Sequence, residues 1–198
     1  MMEILAEVTT RMTEGELIQN DVLYKLDTSR KDYFDIQERK TALLFGGCTE
    51  TGAVLTGRGE AECLAMRGYG LEVGRAFQLV DDLLDYTATS EQLGKPAFSD
   101  LREGKLTLPM LTLLERAPDE VRPLIRTIWD RGEEVPIPEA EEQALRALIA
   151  RHDALAETRD LAMTASRNAV ARLAEVQGDG ETGVLLREIP EALLSRTK

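Results

Sequence analysis

Apolar residues recur at helical spacing along almost the whole of this 198-residue sequence, and no stretch alternates as a half-buried strand does. With helices as its only elements, the chain has to bury a core by packing helix on helix. Residues 2–19 set the pattern, with Ile4, Leu5, Val8, Met12 and Leu17 close to the i, i+3, i+4, i+7 rhythm. A longer helix is expected over 31–57, ending at Thr56-Gly57-Arg58-Gly59, and a third over 60–88, running into a loop from Thr89 to Phe98. A fourth is expected over 104–117, with Pro109 tolerated in its first turns. Further helices are expected over 119–131, 139–151 and 153–176, the first two separated by a loop holding Pro136 and Pro138. Residues 177–180 break the chain before two short terminal helices, the second opened by Pro190. No internal repeat divides the sequence, so the expectation is a single all-helical domain over 1–198.

Charge narrows the partners. The chain carries 36 acidic and 24 basic residues, a net charge of -12, which repels nucleic acid and anionic membrane surfaces. An acidic protein still binds diphosphates when divalent cations mediate. Cys48 and Cys63 are the only cysteines and form no CxxC pair, and His152 is the only histidine, so a thiolate or imidazole zinc site is not expected. His152 reads as a surface residue near a helix end. No apolar run reaches the ~20 residues that span a bilayer, and Met1-Met2-Glu3-Ile4 does not resemble a signal peptide. A cytoplasmic protein without stable membrane insertion is expected.

The chemistry concentrates in Gly74-Arg75-Ala76-Phe77-Gln78-Leu79-Val80-Asp81-Asp82-Leu83-Leu84-Asp85-Tyr86. At ~100° per residue, Gln78, Asp81, Asp82 and Asp85 fall within roughly a 100° arc of one helix face, with Phe77, Val80 and Leu84 on the other side. Three carboxylates on one face repel one another unless water or a cation separates them. Spacing alone therefore leaves two readings open, a solvated acidic face or a Mg²⁺ site built from oxygen ligands. Beyond this segment come Leu93-Gly94-Lys95-Pro96 and Asp100-Leu101-Arg102-Glu103-Gly104-Lys105-Leu106-Thr107-Leu108-Pro109. Two Gly-Lys pairs bring ammonium groups within reach of a metal-bound diphosphate.

The ordered series DDxxD, GK, DLxxGK and TxP resembles the second aspartate-rich region of trans-isoprenyl (polyprenyl) diphosphate synthases. Upstream, the stretch Tyr33 to Phe45, with Lys40 and Thr41 inside it, resembles the family's lysine-threonine helix, and Met12 to Gln19 resembles its GExxQ helix. KTALLF is most like the bacterial medium- and long-chain, octaprenyl-type enzymes. The resemblance implies an isoprenoid synthase-type helical bundle that condenses isopentenyl diphosphate with an allylic diphosphate, using Mg²⁺. It implies metal binding by Asp81, with Asp82 and Asp85 completing the strip. Lys40 and Lys95 would hold the allylic diphosphate, and Lys105 would add positive charge at the cleft edge. Thr41 and Gln78 would sit near the developing cation, Phe77 against the isopentenyl group, and Gln19 on the substrate side of its helix.

One family feature has no counterpart. The first aspartate-rich motif, upstream of the GExxQ helix, is absent from these 198 residues. The resemblance is thus to the C-terminal half of such an enzyme, expected to be inactive alone and to form a homodimer or pair with the missing half. A non-catalytic partner subunit of a heteromeric synthase and a class I terpene cyclase-type enzyme are the alternatives. Product length is not legible.

Overall fold

The computed structural model describes residues 1–87, 96–176 and 180–196, and among these the regular elements are helices and helical turns. Helix α1, Met2–Val22, is followed by α2, Arg30–Gln37. Ser29 caps α2 through a reciprocal box: its hydroxyl accepts from the Asp32 N–H, while the Asp32 carboxylate accepts from the Ser29 N–H. The cap starts this helix at Arg30. The 31–57 stretch is not one regular helix, because a π turn, Glu38–Ala42, interrupts it before α3, Leu43–Leu55. One wide turn of this kind inserts a residue and re-aims the side chains it carries, here Lys40 and Thr41.

Helix α4, Glu60–Thr87, is the axis of the domain, with α3 on one side and the later α9 on the other. The α3 contact is close because α4 presents glycine to it. A Cβ built on Gly70 would lie 2.3 Å from the Phe45 carbonyl oxygen, and one on Gly74 would lie 2.7 Å from Ala42 Cα. Backbone approaches backbone there, and the Thr49 hydroxyl and the Phe45 ring close off the remaining space.

Four further helices, α5 Ser99–Arg102, α6 Leu108–Arg116, α7 Pro118–Arg131 and α8 Glu139–Arg151, lead to α9, Ala156–Arg172. The expected 104–117 helix starts later, at Leu108. Gly104 has φ +82° and Thr107 is extended, so the preceding residues form a turn instead. The expected Thr89–Phe98 loop and the 177–180 break lie mostly outside the described residues. A large core gathers Leu79, Val80, Phe98, Leu108, Leu113, Val121, Ile125, Leu145 and Ala162. His152 closes α8, as a helix-end residue.

The expected pair of terminal helices is a single one, α10, Glu181–Ser195, with Pro190 inside it. Proline has no N–H to give to the carbonyl four residues back, which is Leu186. The Tyr69 hydroxyl of α4 donates to that carbonyl at 2.8 Å, so the orphaned acceptor is satisfied and the helix continues. Tyr69, Val73, Ala169 and Leu173 form the small second core that holds α10, with Leu186 and Leu193 packed against it.

Two glycines test the packing. Gly70→Ala places a methyl group against backbone and is expected to lower stability by about 1–3 kcal/mol. Gly52→Ala, on α3 with nothing within 4 Å of the added carbon, is expected to raise it by about 0.5–1 kcal/mol. Chemical denaturation midpoints of the two variants should move in opposite directions.

Candidate active-site cavity

A cavity of about 230 Å³ opens where α1, α2, the π turn, α4 and the turn after α5 meet. Gln19, Lys40, Thr41, Gln78, Asp81, Asp82 and Lys105, all singled out from sequence, line it together. Gly15 lets α1 come near: a Cβ on it would lie 2.8 Å from Arg39 Cβ. That approach puts Gln19 beside Lys40, whose ammonium donates to Gln19 Oε1 at 2.9 Å and pairs with Glu16 Oε2 at 2.6 Å. Lys105 donates to Glu103 and lies 3.6 Å from Asp100 Oδ1; the two acids raise its pKa against the opposing effect of burial. Phe77 and Asp85 are not among the lining residues. Phe77 packs on Phe45, ring centroids 5.4 Å apart, and Lys95 lies outside the described residues.

The three α4 carboxylates have three different surroundings. Asp81 lines the cavity, and among the described residues no hydrogen bond or ion pair ties its carboxylate. Asp82 is wholly buried and accepts from the Tyr33 hydroxyl at 2.5 Å and from Gln78 Nε2 at 3.0 Å. Burial pushes its pKa up to about 7, although both hydrogen bonds pull the other way. Its neighbourhood also holds Tyr33 well above the usual phenol range, burial being the main cause. Asp85 is equally buried and accepts the backbone N–H groups of Ser99, at 3.1 Å, and Asp100, at 3.2 Å. It fastens the start of α5 to α4.

Asp81 is, among the described residues, the carboxylate at this cavity that no hydrogen bond or ion pair ties. Among the described residues no group of three or more Asp, Glu, His or Cys side chains is arranged to hold an ion by itself. Asp81 at the cavity wall, with Asp100 also lining it, fits a hard cation that keeps several waters and takes phosphate oxygens as ligands. It does not fit an all-protein cage. Sequence reasoning assigned no role to Tyr33, Gln37, Asp100 or Thr107, all of which line the cavity. Asp100 had a usable signal, an acid four residues before a Gly-Lys pair. Tyr33 had none, because an aromatic residue near a helix start reads as core.

The chain is similar to known proteins in sequence and in fold. The family model described as Polyprenyl synthetase matches residues 1–146. The octaprenyl diphosphate synthase of Escherichia coli K12 is 37% identical over 132 residues, 67% of this chain and 41% of that protein. A short chain isoprenyl diphosphate synthase of Methanothermobacter thermautotrophicus is 31% identical over 195 residues, 98% of this chain and 58% of that protein. Among solved structures, a polyprenyl synthase from Caulobacter crescentus CB15, complexed with calcium and isoprenyl diphosphate, superposes with a TM-score of 0.87. It is 38% identical, and the match covers 100% of this chain and 59% of that one. The chain thus spans less than two thirds of the length of each of these proteins.

The unequal surroundings of the carboxylates predict unequal stability effects. Asp85→Ala leaves two backbone N–H groups without their acceptor and is expected to cost about 2–3 kcal/mol. Asp81→Ala is expected to stay within about 0.5 kcal/mol, as at a surface position. Trp129, the only tryptophan, donates to the Leu101 carbonyl at the end of α5 at 2.7 Å, so its fluorescence in denaturant reports both variants.

Proposed function

Because the chain belongs to the polyprenyl synthetase family, we propose that it carries one wall of a prenyltransferase site that condenses isopentenyl diphosphate with an allylic diphosphate. The observation that carries this is the convergence, in one cavity, of two ammonium groups, an untied carboxylate and a threonine–glutamine pair. Each component has a task. The ammonium groups of Lys40 and Lys105 bind the diphosphate and stabilise its charge as the C–O bond breaks. Thr41 and Gln78 face the carbon chain with oxygen atoms where positive charge develops. Asp81 would hold the divalent cation, Mg²⁺ in this proposal, which supplies Lewis-acid stabilisation of the departing diphosphate. Asp82 and Asp85 act from behind, by fixing the groups around the cavity. No side-chain nucleophile is required, since the bond forms between the isopentenyl double bond and the allylic carbon. The proton then lost has the released diphosphate as its acceptor.

The proposal extends to partners. Among the 198 residues there is one aspartate-rich strip, and Leu5 and Leu17 of α1 and Leu44, Val54 and Leu55 of α3 are exposed apolar side chains. Such surface supports association, either with a second copy or with the part of a synthase that supplies the other strip. No described helix is long and apolar enough to cross a membrane, which supports a cytoplasmic setting.

Assay of the purified chain with radiolabelled isopentenyl diphosphate, an allylic primer and Mg²⁺ tests the proposal. If the other strip contributes ~6–8 kcal/mol of transition-state stabilisation, the chain alone is ~10⁴–10⁶-fold slower than a complete enzyme and yields no detectable product. Adding the upstream portion of a relative as a separate polypeptide should restore product. Robust elongation by the chain alone would overturn the division of labour. Absence of both product in the mixture and Mg²⁺-dependent diphosphate binding would overturn the assignment.

A further inference from the structure

Thr41 gives its hydroxyl proton away inside the protein. Its Oγ1 donates to Gln78 Oε1 at 2.9 Å, Gln78 Nε2 donates to Asp82 Oδ1 at 3.0 Å, and the Tyr33 hydroxyl donates to Asp82 Oδ2 at 2.5 Å. The direction of this chain follows from its inner end. In its ionised form Asp82 only accepts, so the Gln78 amide turns its nitrogen to Asp82 and its oxygen to Thr41. Gln78 Oε1 then accepts the Thr41 hydrogen bond, and Thr41 presents its lone pairs to the cavity it lines. Asp82 is fully buried and Tyr33 is 7% exposed, so in the native chain both carboxylate oxygens rely on protein donors.

We infer that Tyr33 is a positioning residue: through Asp82 and Gln78 it holds the Thr41 hydroxyl with its lone pairs toward the cavity, which makes the site selective for ligands carrying positive charge next to a diphosphate. The inference rests on the function proposed above and adds a residue and a polarity to it. When the allylic C–O bond breaks, its electron pair leaves with the diphosphate oxygen and positive charge remains on the carbon chain. Lone pairs favour that charge, whereas a hydroxyl proton in the same place opposes it. Tyr33 matters because it occupies the second Asp82 oxygen. Without the phenol, the carboxylate is held at one oxygen only and is free to turn. The Gln78 amide then loses its fixed donor direction, and a flipped amide sends the Thr41 proton into the cavity.

The test uses two probes of the same shape, dimethylammonioethyl diphosphate and isopentyl diphosphate, whose alkyl end is neutral, titrated calorimetrically into the 198-residue chain with Mg²⁺ in mildly alkaline buffer. The native chain should prefer the ammonium probe by roughly tenfold or more, as a charge-assisted contact requires. Tyr33→Phe should cut that preference to roughly threefold or less while changing the affinity for isopentyl diphosphate by less than about twofold. Thr41→Val should lose the preference in the same way, and Thr41→Ser should keep it. If Tyr33→Phe does not fold, Gln78→Met, which removes the amide at similar length, is read by the same ratio. A preference unchanged in Tyr33→Phe, or a loss of affinity shared equally by both probes, overturns the inference and leaves the proposed function standing. Failure of the native chain to bind either probe overturns the proposed function, and this inference with it.

Discussion

Asp82 and Asp85 are both buried completely, one turn apart on α4. An ionised carboxylate withdrawn from water without partners costs several kcal/mol, so the surrounding structure has to bring donors to both. It does so from different elements. Tyr33 comes from α2 and Gln78 from α4 itself, while the N–H groups opening α5 meet Asp85. Satisfying the two acids therefore fixes α2 and the 99–107 segment against α4, and these are three of the walls of the cavity. Asp81, one position before the first of them, is left with nothing to hold among the described residues, and it faces the space those walls enclose.

The positive groups of the cavity are occupied as well. Lys40 is paired with Glu16 and Gln19, and Lys105 with Glu103 and Asp100, in a chain whose net charge is -12. A diphosphate entering alone meets ammonium groups already matched by carboxylates and a surrounding negative field. The outer partners are weak ones, however. The side chains of Glu16 and Glu103 are 53% and 41% exposed, so releasing them to solvent costs little. Under the proposed function, a ligand with several anionic oxygens would displace both, and an accompanying divalent cation would offset the remaining acidic field at Asp81. The arrangement holds the two lysines in place at the cavity wall.

Much of this was legible in the sequence, and what was not has identifiable causes. The long apolar period of α4 placed its limits within a residue, and of the expected strip Gln78, Asp81 and Asp82 line the cavity while Asp85 is buried against the start of α5. A helical wheel gives an angle, not a neighbour. Asp81 and Asp82 lie at opposite edges of that ~100° arc, and α2 covers only the Asp82 side, so one acid is buried and the other is not. Pro190 read as a helix start because its missing N–H normally ends a helix, and the tyrosine that satisfies Leu186 lies 117 positions earlier in the chain. The π turn left no trace in the apolar period. Its residues, Glu38-Arg39-Lys40-Thr41-Ala42, are ordinary helix formers and polar side chains, and the wide turn becomes visible only in which of them meet the cavity.

The glycines of α4 connect the packing of the domain to the polarity of the site. Gly74 lies one turn before Gln78, and Ala42 follows Thr41, so the contact between Gly74 and Ala42 sits one turn from the Thr41–Gln78 hydrogen bond. With only 2.7 Å between Ala42 Cα and the place a Cβ at Gly74 would occupy, any side chain there drives the π turn away from α4. The hydrogen bond is 2.9 Å long, and a displacement of about 1 Å would take it beyond the range in which an O–H···O contact holds its direction. Thr41 would then keep its place in the cavity and lose the partner that takes its proton. Close backbone packing, which looks like a matter of stability alone, is in this fold a condition for the Thr41–Gln78 hydrogen bond and for the direction of its dipole.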